Sequence, residues 1–363
     1  MSLKCGIIGL PNIGKSSLFN ALTKSNISAE NYPFCTIDPN NGLVQVPDSR
    51  LDKLDDIIKP KAKVEAIMEF TDIAGLVKGA SQGQGLGNQF LSHIRQTDAL
   101  IHVVRAFEDE DVIHVSKKVS PQDDIMIVET ELALADLEQC QRVLEKTKKK
   151  SKGSPKESAS KLLILDELSN YLSDGKMLRD ISLSHEASQV VQDLQFLTAK
   201  PTIFLANVDE NSLEGNPLSD LVQEFALSNK STCVIVSAAL ELELAGLSKE
   251  EESQFLEMLG LNETGLTKLI RSSFDLLNLH CFFSAGKKEV RAWSIKQGAT
   301  AYEAASAIHS DIQRGFIKAD VIGYDDFIEF SGELGARENG KLRTEGKEYV
   351  VQDGDIINFK FNV

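Results

Sequence analysis

Short apolar runs, separated by longer stretches with helical spacing, set the framework of this chain. The first is Cys5–Ile8, followed by Val64–Thr71, Ala99–Val104, Thr202–Ala206 and Cys233–Val236. Each is shorter than a helix and rich in branched or aromatic residues, which reads as a strand buried on both faces. Strands alternating with helical stretches predict an α/β fold around a mostly parallel sheet. Ligands of such sheets gather at the carboxyl ends of strands. The short polar motifs of the chain follow these runs: Gly9–Ser16, Asp72–Gly75, Asn207–Glu210 and Ser237–Ala239. They are expected to converge on one site.

Roughly a hundred residues separate the third run from the fourth, far more than the ~2–6 residue loops of an ordinary crossover. Within them, residues 123–146 place Ile125, Val128, Leu132 and Ala135 on one helical face. Lys148–Pro155 breaks the pattern, and a second amphipathic stretch carries Leu162, Leu165, Leu168 and Leu172. The reading is an antiparallel helical hairpin inserted at about 120–200, with a lysine-rich tip. That tip is either a solvated turn or an RNA-phosphate contact. From Leu279 the pattern changes again. Val290–Ile295 and Ile356–Phe361 alternate like strands, with a helical stretch, Ala301–Gln313, between them. A small β-rich domain is expected at 279–363.

Composition narrows the class. Hydrophobic residues make up 42% and charged residues 26% of 363 residues, as in ordinary globular proteins. A net charge of −15 argues against wholesale coating of nucleic acid, and no DNA-sequence recognition is expected. Cys5, Cys35, Cys140, Cys233 and Cys281 are scattered without metal-ligand spacing and read as reduced thiols. No apolar stretch reaches the ~20 residues of a membrane span, and no leader-like segment opens the chain. The expected location is cytoplasmic, away from membranes.

Gly9-Leu10-Pro11-Asn12-Ile13-Gly14-Lys15-Ser16, between a strand and a helical stretch, is a complete phosphate-binding loop. Its glycines let successive N–H groups point into one concavity at a helix N-terminus. Asn12, Ile13, Gly14 and Ser17 would surround the phosphates, Lys15 would reach the β- and γ-phosphates, and Ser16 would ligate Mg2+. Asp72, at a strand end, would hold a magnesium-bound water. Gly75 would sense the γ-phosphate, and Thr36 would complete the metal shell. The glycines between Gly75 and Gly87 leave the intervening segment few side-chain restraints. Leu76 stands where related hydrolases orient water with glutamine, and leucine makes no hydrogen bond to water. The candidate catalytic side chains are therefore His93, His102 and His114. His102, within an apolar run, reads as a core histidine. Asn207-Val208-Asp209-Glu210 replaces the guanine-reading pattern Asn-Lys-x-Asp. Val208 and the longer Glu210 weaken guanine selectivity and make adenine the expected base. Ser237 and Ala238 would close the base pocket.

These residues resemble the YchF proteins, the Obg-like ATPases among the translation-factor-related P-loop hydrolases. The resemblance rests on residues 9–16, Asn31–Ile37, the glycine-rich run after Asp72, Asn207–Glu210 and Asp353–Val363. It implies a P-loop NTPase domain, G-domain-like, over 1–278, interrupted by the helical insertion. It also implies a ubiquitin-like β-grasp domain of the TGS type over 279–363. ATP preferred over GTP, dependence on Mg2+, and association with ribosomes and ribosomal RNA follow from the same resemblance. Asn12 matches the family asparagine that helps to hold K+ beside the phosphates, where the ion supplies positive charge. His114 matches the family histidine that assists hydrolysis and is preferred to His93.

The leading reading is a ribosome-associated ATPase switch. A GTPase of the same architecture, or a ribosome- or RNA-binding adaptor with incidental turnover, are the alternatives. A small-molecule kinase is disfavoured by the glycine-rich segment and the β-rich tail. His114→Ala is expected to keep ATP affinity and lose turnover in single-turnover assays. Weakened binding with unchanged hydrolysis of bound ATP would contradict that role.

Overall fold

The computed structural model describes residues 3–24, 40–73, 75, 79, 86–109, 118–150 and 155–362. The chain divides into two compact units. One comprises Lys4–Gly42 and Glu69–Leu269; the other is chiefly Leu43–Met68 and Ile270–Val363.

In chain order the elements begin with β1 (Lys4–Ile8), α1 (Lys15–Lys24), β2 (Asn41–Val46), α2 (Ser49–Ile58), β3 (Ala62–Val64) and β4 (Ala66–Asp72). Next come α3 (Leu86–Arg95), β5 (Ala99–Arg105), α4 (Pro121–Lys150), α5 (Pro155–Ser173) and α6 (His185–Leu194). They are followed by β6 (Thr202–Asn207), α7 (Pro217–Ser228), β7 (Thr232–Val236), α8 (Ala238–Leu244), α9 (Lys249–Met258) and α10 (Gly265–Leu276).

Among the described residues six of these strands, all but β3, form a sheet in the order β2-β4-β1-β5-β6-β7. The pairs β1–β4, β1–β5, β5–β6 and β6–β7 are parallel. Every residue of β5 and β6 is buried, which is why their sequences are continuous apolar runs rather than alternating ones. The registers Ile7↔Asp72, Arg105↔Asn207 and Asn207↔Val236 bring the polar strand ends to one edge, as the sequence pattern requires.

The run expected as one strand over 64–71 is divided at Glu65 into β3 and β4. The helical insertion consists of α4 and α5 packed antiparallel, with the Cys140 thiol donating to the Leu165 carbonyl. Leu165, Leu168, Leu172, Val190 and Phe196 share its core, whereas Ile125 at the other end of α4 packs with Val104 and Phe204. The lysine-rich tip at 151–154 lies outside the described residues. Among those described, Cys5, Cys140, Cys233 and Cys281 form no disulfide, and no helix is long and apolar enough to cross a membrane.

The second unit adds β8 (Leu279–Ala285), β9 (Glu289–Lys296), α11 (Ala301–Ile308), α12 (Ser310–Arg314) and β10 (Phe316–Ile322). It ends with α13 (Tyr324–Glu329), α14 (Glu333–Glu338), β11 (Arg343–Glu345) and β12 (Ile356–Phe361). The sheet order is β11-β10-β12-β8-β9-β3, with β12 parallel to β8 and the β8–β9 and β10–β12 pairs antiparallel. An antiparallel hairpin, a helix laid across the sheet, and a last strand parallel to the first make a β-grasp. The helix expected over 301–313 is broken at His309, whose backbone is extended and whose Nδ1 accepts from the Asp311 N–H.

No local sequence signal announced that 43–68 belongs with this unit. β3 pairs with β9 through Ala62↔Glu289. Arg50 of α2 donates to both carboxylate oxygens of Asp353 at 2.9 and 3.1 Å, and also to Asp48. Its guanidinium lies 5.2 Å from the Phe283 ring centroid. A planar fork that satisfies two carboxylates while stacking on an aromatic face is work for arginine rather than lysine.

In the first unit α8 is tied to α10 by Glu241, which is 4% exposed and accepts from the Gly265 N–H at 2.6 Å. Burial raises its pKa to about 7 despite hydrogen bonds from the Gly265 and Leu266 N–H groups, with Glu252 adding to the rise and Lys268 opposing it. A folded-state pKa above the unfolded value binds the proton more tightly in the native state. The stabilisation is therefore complete below pH ~4.5 and lost as pH rises through ~7. The wild type should lose stability relative to Glu241→Gln between pH 5 and 8, by up to about 3 kcal/mol. Urea unfolding at several pH values checks this, and parallel pH profiles would contradict it.

Candidate functional site

The strand-to-helix loop after β1 is shaped by close approaches. Gly14 has φ 93°, and a Cβ there would come within 2.4 Å of Asn207 Nδ2, so both conformation and space demand glycine. Asn12 is also left-handed, at φ 61°, which asparagine tolerates better than most residues. Lys15 is 7% exposed, and its Nζ donates to the Leu10 carbonyl at 2.5 Å. Burial lowers its pKa to about 8, against the opposing pull of Asp72. Gly75 lies against the loop, since a Cβ there would stand 3.1 Å from Pro11 N and 3.2 Å from Lys15 Nζ.

Ser16 Oγ donates to Asp72 Oδ2 at 3.2 Å. The other carboxylate oxygen, Oδ1, is buried and has no hydrogen-bond partner among the described residues. A buried carboxylate oxygen left without a donor is costly, and a cation or its bound water answers that cost. A hydroxyl and a carboxylate are hard oxygen donors, so this pair fits Mg2+.

On the other side, Asn207 at the end of β6 joins two loops through one amide. Nδ2 donates to the Ile13 carbonyl at 2.8 Å, and Oδ1 accepts from the Ala238 N–H at 2.9 Å. Asp209 is engaged in its own loop, accepting from the Asn211 N–H and the Ser212 hydroxyl. Glu210 is exposed. Asn12, Gly14, Ser17, Asn207, Val208, Glu210 and Ala238, all sequence candidates, line one cavity of about 760 Å³. Ile13, Lys15, Ser16 and Ser237, also candidates, are not among its lining residues. Ile13 and Ser237 are buried, Ile13 offering its carbonyl to Asn207 and Ser237 capping α8 by accepting from the Leu240 N–H.

Thr36, Leu76 and His114 lie outside the described residues. His93 is half-buried on α3. His102 is 2% exposed, its ring 5.5 Å from that of Phe204, and burial pushes its pKa down to about 3, so it is a core histidine. Sequence reasoning missed Phe107 and Asp109, which line the cavity, and Arg105 behind them. An arginine closing an otherwise apolar strand was the one available signal.

Two family models match the chain. One is described as a 50S ribosome-binding GTPase and covers residues 4–151. The other, YchF-GTPase_C, is described as a protein of unknown function and covers 279–362. The chain is 53% identical over 363 residues to a protein of Escherichia coli O157:H7 named ribosome-binding ATPase YchF, covering 100% of each. It is 49% identical over 366 residues to a protein of the same name from Bacillus subtilis strain 168, again covering 100% of each. The chain belongs to the YchF family. A solved structure described as the YchF GTPase of Schizosaccharomyces pombe superposes with TM-score 0.89 at 37% identity, covering 99% of this chain and 98% of that one. The YchF-type fold, a P-loop sheet with a helical insertion and a C-terminal β-grasp, is thus present throughout the described residues.

The buried lysine of this YchF-family loop gives a pH test. Only the ammonium form of Lys15 attracts an anion, and its pKa near 8 is that of the free site. Nucleoside-triphosphate affinity should weaken about ten-fold between pH 7.5 and 9 as the free site loses its proton. Titration calorimetry at constant ionic strength checks this; a flat profile would contradict it.

Proposed function

We propose that this protein is a ribosome-associated ATPase that binds ATP with Mg2+ and hydrolyses it slowly to ADP and phosphate as a conformational switch. The observation that carries the reading is one cavity lined by Asn12, Gly14 and Ser17 of the phosphate loop and helix start and by Asn207–Asn211 with Ala238–Ala239. In this reading the triphosphate lies at the loop and the base against Val208. Lys15 supplies positive charge to the β- and γ-phosphates, and the backbone at Gly75 answers to the γ-phosphate. Ser16, Asp72 and Thr36 are the residues that would hold Mg2+, which supplies charge neutralisation between the phosphates. Asn12 is the residue that would hold K+, and His114 the residue that assists hydrolysis.

Adenine is favoured by chemistry. The carboxylate that reads guanine in an Asn-Lys-x-Asp loop must sit at a fixed reach. Glu210 is one methylene longer and exposed, and Val208 gives an apolar face where lysine would pack. The relatives' names support ATP in the bacterial proteins and GTP in the yeast one, so a GTPase of the same architecture is the rival. The bacterial names also support the ribosome as partner. Contact of ribosomal RNA with the hairpin tip and the TGS-like domain at 279–363 is part of the proposal. The proposed NTPase domain is 1–278 with its insertion at 120–200, and the proposed location is the cytoplasm.

Competition binding and turnover of ATP and GTP, in potassium and in sodium, with and without ribosomes, test the reading. The expected result is tighter ATP binding, faster turnover in potassium and stimulation by ribosomes. A preference for GTP would overturn the adenine assignment. Turnover unaffected by ribosomes, with no nucleotide-dependent ribosome affinity, would favour an adaptor.

A further inference from the structure

We propose that Arg105 is a positioning residue for the base end of the cavity, holding residues 106–109 so that Phe107 presents a rigid aromatic wall to the base. The proposal rests on the nucleotide reading of the cavity and adds a determinant of affinity that the phosphate loop does not contain.

Arg105 is the last residue of β5, paired in register with Asn207, and is 1% exposed. A guanidinium at the end of a wholly buried strand carries a desolvation cost that a leucine would avoid. Its use is visible in what it grips. Nε donates to the Phe107 carbonyl and Nη2 to the Asp109 carbonyl, each at 3.1 Å. The guanidinium carbon lies 4.5 Å from the Phe107 ring centroid. One planar group thus holds two carbonyls of its own following chain and backs an aromatic ring, a combination open to arginine alone.

The first residue of this segment is also held from the sheet side. The Ala106 N–H donates to the Asn207 carbonyl at 2.8 Å, and Asn216 Nδ2 donates to the Ala106 carbonyl at 2.8 Å. Ala106 is buried in the core beside Val104 and Phe204, but Phe107 is only half-buried and Asp109 is exposed, so core packing fixes the root of this segment and not its far end. The backbone is set by Arg105, Asn207 and Asn216. Phe107 and Val208 both line the cavity, one aromatic and one branched aliphatic. Stacking on an aromatic wall rewards a large base over a small one and is indifferent to the triphosphate.

The test compares ATP, CTP and inorganic tripolyphosphate as titrants of the full chain. In Arg105→Met the ATP Kd should rise ten-fold or more, the preference for ATP over CTP should shrink, and the tripolyphosphate Kd should move less than two-fold. Arg105→Lys, which keeps a charge but not the planar fork, should fall between. Phe107→Leu should reproduce the ATP loss, and Arg105→Met added to it should weaken binding less than two-fold further, because both act through one wall. If Arg105→Met does not fold, Arg105→Lys with Phe107→Leu forms the same cycle.

Additive losses, equal loss of tripolyphosphate, or unchanged ATP affinity in folded variants would overturn the positioning role while leaving the nucleotide reading intact. A wild-type chain that binds tripolyphosphate no more weakly than ATP would instead overturn the nucleotide reading itself.

Discussion

The amide of Asn207 is the interaction on which the site depends. One side chain spans the gap between the phosphate loop, through Ile13, and the start of α8, through Ala238. The two loops leave different strands, and the parallel sheet only brings their roots to one edge. Asn207 fixes their separation. Both partners are backbone groups, and Asn207 itself is 4% exposed. Removing the amide would leave each partner unsatisfied at about 1–3 kcal/mol. Gly14 is part of the same constraint, because any side chain there meets Asn207 Nδ2.

Around that bridge, charge is placed where burial makes it consequential. Lys15 is buried enough to loosen its proton, and one oxygen of Asp72 finds no donor among the described residues. Both conditions are unfavourable to the empty fold and are relieved by an anion and a hard cation respectively. Ligands that relieve those costs bind the folded chain alone and therefore stabilise it.

The parallel sheet was legible because its strands are buried on both faces and therefore spell uninterrupted apolar runs. The phosphate loop was legible because its backbone shape demands glycine at fixed positions, Gly14 above all. The helical hairpin announced itself through leucine spacing. What could not be read were placements made by distant pairings. β3 joins the β-grasp sheet through residues more than two hundred positions away, and Arg50 meets Asp353 across a similar gap. Arg105 was overlooked for a related reason: it donates to the backbone carbonyls of Phe107 and Asp109, which leave no trace in residue identity. His309 ended a helix early because its ring nitrogen offered the next turn a competing acceptor.

The most direct test of the central claim is the affinity of Asn207→Ala for ATP and for inorganic tripolyphosphate, measured by calorimetry in magnesium on a variant that still unfolds cooperatively. If the amide sets the distance between the two loops, both ligands should bind at least ten-fold more weakly, because the phosphate loop itself loses its support. Loss of ATP binding with tripolyphosphate affinity intact would reduce Asn207 to a contact with the base and contradict the account.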